Sequence, residues 1–88
     1  MKLSKEKKEK ISEQILAYLY SLAPEAKFTS HIARELARDE EFIKRLLSEL
    51  KEKNLIIEIK KNPMGKEYTK RSRWKLSPQA HQVYQSHQ

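Results

Sequence analysis

Apolar residues along this chain recur first at helical spacing, then in alternation, then at helical spacing again. Ile11, Ile15, Leu19 and Leu22 fall on one helical stripe, with Leu16 and Tyr18 on its flanks. That stripe predicts a first helix over residues 4–22. Its opening turns, residues 5–10, are entirely charged. Pro24 ends the helix, because the residue before a proline avoids the helical region. Lys27-Phe28 reads as a short extended piece. Thr29 reads as the N-cap of a second helix with an inner face of Ile32, Ala33, Leu36 and Ala37. Arg38-Asp39 supplies the next turn, without the glycine common between two such helices. Asp39 caps a third helix over residues 40–53, whose stripe is Ile43, Leu47 and Leu50. Phe42 and Leu46 form a second apolar pair displaced from that stripe, and Asn54 suits the left-handed position after the helix.

The period then changes. Residues 55–60 are rich in β-branched side chains and read as a strand, and Pro63 and Gly65 punctuate a turn. A return strand covers residues 68–76. Alternation puts Tyr68, Lys70, Ser72, Trp74 and Leu76 on one face, and Thr69, Arg71, Arg73 and Lys75 on the other. Trp74 and Leu76 are expected to bury, leaving Arg71, Arg73 and Lys75 as a solvent-facing basic row. Ser77-Pro78 is an N-cap followed by proline at the first helical position. It starts a last helix, roughly residues 78–87, with Ala80, Val83 and Tyr84 on one face.

Charge sharpens this picture. The chain has 88 residues, enough for one domain, and a net charge of +7. Residues 1–54 hold 12 Lys/Arg against 10 Asp/Glu, whereas residues 55–88 hold 7 against 2. All seven later cations lie in the expected hairpin, which is the electrostatic footprint of a polyanion partner. The other reading of such a hairpin is a solubilising edge. There is no cysteine, which removes disulfides, thiolate metal sites and a cysteine nucleophile. A single glycine excludes phosphate loops and dinucleotide fingerprints, and no nucleophile–base arrangement is suggested, so the chain is not expected to be an enzyme. His31 and Glu35 sit at i, i+4 without a third ligand and read as a surface pair, so no metal or cofactor is expected. Residues 1–6 lack the apolar run of a signal peptide, and no stretch approaches the ~20 apolar residues that span a bilayer. A cytoplasmic, nucleoid-associated location is expected.

Three segments carry a family resemblance. Thr29-Ser30-His31-Ile32-Ala33-Arg34-Glu35-Leu36-Ala37 looks like the first helix of a prokaryotic helix-turn-helix. Ile43, Leu47 and Leu50 followed by Asn54-Leu55-Ile56 are similar to the helix ending in which glycine usually precedes Leu-Ile. Trp74-Lys75-Leu76-Ser77-Pro78-Gln79-Ala80 resembles the run that closes a wing and starts the last helix, with Ala80 where glycine is usual. In this order the chain resembles small archaeal or bacterial winged helix-turn-helix regulators of the MarR and ArsR type. The resemblance implies an α+β fold, with a three-helix core, a two- to three-stranded β-wing and a C-terminal helix. It implies a single winged-helix domain over residues 1–88. Within it, 1–10 form a charged extension of the first helix, 29–54 the helix-turn-helix, 55–76 the wing and 77–88 the last helix. It also implies double-stranded DNA as partner and a homodimer formed through the first and last helices.

On this reading Lys60, Lys61, Lys66, Lys70, Arg71 and Arg73 contact phosphates, although alternation puts Lys70 on the Trp74 face. Lys44, Arg45 and Ser48 lie on the outer face of the third helix and would meet bases or backbone, while Ser30 offers a hydroxyl to a phosphate. Asp39, Glu40 and Glu41 favour the helix start electrostatically but repel phosphates. Glu41 and Arg45, at i, i+4, fit a salt-bridged solvated face equally well. That acidic start and the Phe42/Leu46 pair motivate a second reading, a winged helix used for protein–protein or RNA assembly.

Overall fold

The computed structural model describes residues 4–62, 64–67 and 71–86. The element order is α1 (Lys5–Leu22), β1 (Lys27–Phe28), α2 (Thr29–Glu35), α3 (Glu40–Glu52), β2 (Ile56–Ile59), β3 (Arg73–Leu76) and α4 (Pro78–Ser86). Ser4 Oγ caps α1 by accepting from the Lys7 N–H, and Ile11, Ile15 and Leu19 are its buried stripe. The charged first turns stay helical, and Lys8 Nζ reaches Glu49 of α3 at 3.8 Å.

The second helix departs from expectation at both ends. Thr29 is its first helical residue; Phe28 occupies the cap position and makes no capping side-chain bond. The Thr29 hydroxyl is used elsewhere, accepting from Trp74 Nε1 at 2.8 Å. At the other end Ala37 does not join the inner face. It is exposed and takes the left-handed conformation, with φ 53°. The Arg38 N–H bonds the Ala33 carbonyl and the Ala37 N–H bonds the Arg34 carbonyl. That pair of bonds is a Schellman ending, so the turn begins at Ala37 rather than at Arg38-Asp39. A turn without glycine must put a residue with a Cβ in that conformation, at about 1 kcal/mol.

The same device ends α3. Asn54 has φ 62°, the Leu55 N–H bonds the Leu50 carbonyl, and the Asn54 N–H bonds the Lys51 carbonyl. At the start of α3, Asp39 Oδ2 accepts from the Phe42 N–H at 3.1 Å. The buried face is Ile43, Leu46, Leu47 and Leu50. Leu46 is therefore core, 1% exposed, and Phe42 packs half-buried against that core. The Phe42/Leu46 pair thus widens the core, which leaves only the exposed part of Phe42 for a docking partner.

The three strands form an antiparallel sheet in the order β1-β3-β2. Glu58 pairs with Trp74 and Ile56 with Leu76. Alternation puts these four on the sheet face toward the helices, where Ile56, Trp74 and Leu76 are buried. Regular pairing ends at Ile59 and Arg73, and one further bridge joins Lys61 to Glu67. Between them the Asn62 side chain accepts from the N–H groups of Met64 and Lys66, and Gly65 takes the positive φ of 87°. Ser77 Oγ caps α4 by accepting from the Ala80 N–H. Ala80 is buried in the shared core, while Val83 is 56% exposed. Tyr84 stacks on Tyr20 of α1 at 5.3 Å. Burial, then the charge of Glu13, raise the Tyr84 phenol above its usual pKa.

Candidate nucleic-acid interface

The outer face of α3, the start of α2 and the base of the hairpin enclose one cleft of about 740 Å³. Five residues named from the sequence line it together: Ser30, Lys44, Ser48, Lys60 and Arg71. Ser30 comes from α2, Lys44 and Ser48 from one side of α3, Lys60 from just beyond β2, and Arg71 from just before β3. Helical spacing puts Lys44 and Ser48 side by side at i, i+4. The Ser48 hydroxyl donates to the Lys44 carbonyl at 3.1 Å, leaving its oxygen able to accept.

Carboxylates share the cleft: Glu40 and Glu41 at the start of α3, and Glu58 on β2. Glu58 is the most constrained of the three. Its Oε1 accepts from Lys51 Nζ at 2.8 Å and its Oε2 from the Ser72 hydroxyl at 2.6 Å. Burial alone would raise its pKa. The hydrogen bonds from Lys51 and Ser72 and the charges of Lys51 and Lys60 outweigh it, so the carboxyl titrates below its usual 4.5. Glu58 thus ties the end of α3 to the return limb of the hairpin while remaining ionised.

Arg71 is exposed, and its guanidinium carbon lies 4.1 Å from the centroid of the Phe28 ring. Phe28 in turn meets the His31 ring edge-on at 5.9 Å. Among the described residues no carboxylate forms an ion pair with Arg71, and none joins Glu41 to Arg45.

The remaining sequence candidates lie elsewhere. Arg45 is exposed on α3 but does not line the cleft. Lys61 and Lys66 sit farther out on the hairpin, both exposed. Arg73 corrects the expected basic row: it is half-buried, with Nη2 directed to the Lys61 carbonyl at 3.4 Å. Its register opposite Phe28 and Ile59 places it on the central strand of the sheet. Lys75 is half-buried as well. Lys70 lies outside the described residues. Phe28, Glu58 and Ser72 were missed as site residues. The signal available was a lone acid inside an apolar strand and a serine on the Trp74 face.

No family model matches the sequence, and no curated protein matches it. Solved structures do match. The S. aureus MepR–DNA complex has a TM-score of 0.73 at 22% identity, over 88% of this chain and 59% of that one. Lactococcus lactis ZitR has a TM-score of 0.69 at 21% identity, over 99% of this chain and 51% of that one. The PcaV transcriptional regulator from Streptomyces coelicolor, in complex with its natural ligand, has a TM-score of 0.64 at 18% identity, over 84% of this chain and 48% of that one. The chain spans about half the length of the structures it matches. With four helices and a three-stranded antiparallel sheet in this order among the described residues, the chain has the winged-helix fold of these structures.

Proposed function

We propose that this chain is a non-enzymatic module that binds double-stranded DNA and acts in transcription regulation. On this reading the outer face of α3 enters a major groove and the hairpin follows the adjacent backbone. The observation that supports it best is the convergence of Ser30, Lys44, Ser48, Lys60 and Arg71 in one cleft between α3 and the wing. Lys60, Lys44 and Arg71 suit phosphate oxygens, while Ser30 and Ser48 hydroxyls suit backbone or base edges. The same fold occurs in a MepR–DNA complex, which adds support. Lys61 and Lys66 extend the basic surface along the hairpin, and Arg45 adds to it on α3; Lys70 is kept as a phosphate contact on its sequence alone. Arg73 contributes mainly by bracing the hairpin. A homodimer through α1 and α4 belongs to the same proposal, supported by the exposed Val83 beside the Tyr20–Tyr84 stack. So does a nucleoid-associated location, which DNA binding would bring.

The test is a salt titration of duplex binding. A labelled duplex of about 30 bp is titrated by fluorescence anisotropy at several salt concentrations, with the parent chain and with Lys60→Glu/Arg71→Glu. The expected result is a steep salt slope that falls by about two phosphate equivalents in the variant. Equal affinity and slope for both proteins would sink the reading.

Glu40, Glu41 and Glu58 in the same cleft favour a second reading, docking of a protein or RNA partner. That reading predicts weak, wing-independent duplex binding alongside capture of a partner that Glu40→Lys/Glu41→Lys abolishes. Tighter duplex binding by this second variant, with no partner lost, would count for DNA.

A further inference from the structure

Resting on the DNA-binding reading, we propose that Phe28 is a positioning residue for that interface: its ring holds the Arg71 guanidinium in the cleft without neutralising it. Arginine side chains lose rotamer freedom when they engage a phosphate or a groove, and that loss weakens binding. A carboxylate partner would fix the side chain but would also cancel the field that attracts DNA. An aromatic face fixes it through the ring quadrupole and leaves the five N–H donors around the guanidinium edge. The geometry has this form. The guanidinium carbon lies 4.1 Å from the ring centroid, and both residues line the cleft.

The ring is itself held. Phe28 pairs with Arg73 in the β1–β3 register. The Thr29 N–H approaches the Ser72 carbonyl at 3.4 Å. The Ser72 hydroxyl is tied to Glu58, and His31 meets the Phe28 ring edge-on at 5.9 Å. Backbone pairing therefore delivers Phe28 under Arg71, one residue beyond the clamped Ser72. Sequence alone gives no hint of this, since 43 positions separate the two residues in the chain.

The experiment is a double-mutant cycle on duplex affinity, with melting curves recorded for every variant. Phe28→Leu keeps apolar bulk but removes the ring face, and it is expected to weaken binding about three- to tenfold. Phe28→Tyr restores the face and is expected to stay within about twofold of the parent. In an Arg71→Ala background, Phe28→Leu is expected to cost nothing further. A merely structural role would give the same loss in both backgrounds, which would overturn the inference while leaving DNA binding in place. Full affinity in Phe28→Leu would overturn it equally. Unchanged affinity in Arg71→Ala would also overturn it, by removing Arg71 from the interface. Failure of the parent chain to bind any duplex appears before a variant is made and overturns the functional reading as well.

Discussion

In the core, Ile15, Leu19, Ile32, Ile43 and Leu47 are fully buried and belong to one apolar cluster that α4 joins through Ala80. In the cleft, Phe28, Glu58 and Ser72 are half-buried and Arg71 is exposed. These four are held by an aromatic–guanidinium contact and by hydrogen bonds to a carboxylate. The core is non-directional and close-packed, so its stability depends on volume. The cleft is directional, so its geometry depends on particular atoms. One consequence is that the wing's shape is set by cross-links to α3 and β1, beyond its own strand pairing. β2 and β3 have only four residues each, and a hairpin of that size is marginal alone.

The contrast can be broken or sharpened by substitution. The largest effect is expected in the core: Leu47→Ala, at 0% exposure, should cost about 3 kcal/mol in urea unfolding. A loss under about 1 kcal/mol would mean the core is far looser than its burial implies. Next comes the link between core and cleft, the Trp74 Nε1 to Thr29 Oγ1 bond. Thr29→Val leaves that indole N–H unpaired and should cost about 1–2 kcal/mol, again by denaturant unfolding.

The cleft itself should answer to pH. Glu58 titrates below its usual 4.5 in the folded chain, so its stabilisation is full above that value. It is lost as pH falls through the lowered folded-state pKa. Glu58→Gln should therefore cost about 1 kcal/mol near neutral pH, discounted because Lys51 is half exposed. Melting curves of the parent and this variant should converge as pH falls below 4.5. A constant gap down to strongly acidic pH would remove Glu58 as the charged clamp. The smallest effect is expected at the helix–helix turn. Ala37 has φ 53°, so Ala37→Gly should stabilise the fold by about 0.5–1 kcal/mol. Destabilisation there would show that Ala37 is not strained.

The α2–α3 turn and the return strand show why some features were legible and others were not. Asp39 as a cap, Asn54 at the left-handed position and Ser77 before Pro78 were readable, because capping is local chemistry with a fixed offset. Thr29 has the residue type of a cap, but the indole of Trp74, 45 positions away, takes its hydroxyl. Arg73 was readable as opposite in parity to Trp74. Its parity did not reveal that the side chain is half-buried, with Nη2 directed to the Lys61 carbonyl. Leu46 is displaced from the Ile43/Leu47/Leu50 stripe of α3, yet it is buried with that stripe in the core. A helix face is as wide as its neighbours make it.

By itself the sequence determined the number, order and type of the elements and the concentration of positive charge after residue 54. These follow from periodicity, capping and composition, which act over a few positions along the chain. Only the tertiary structure decided which cations share a cleft, which arginine is exposed and which is committed to the hairpin, and that Phe28 and Glu58 frame Arg71 and Ser72. Those outcomes depend on strand register and on how α2 and α3 approach the sheet. No local pattern encodes such distances, because each is set by the packing of all the elements at once.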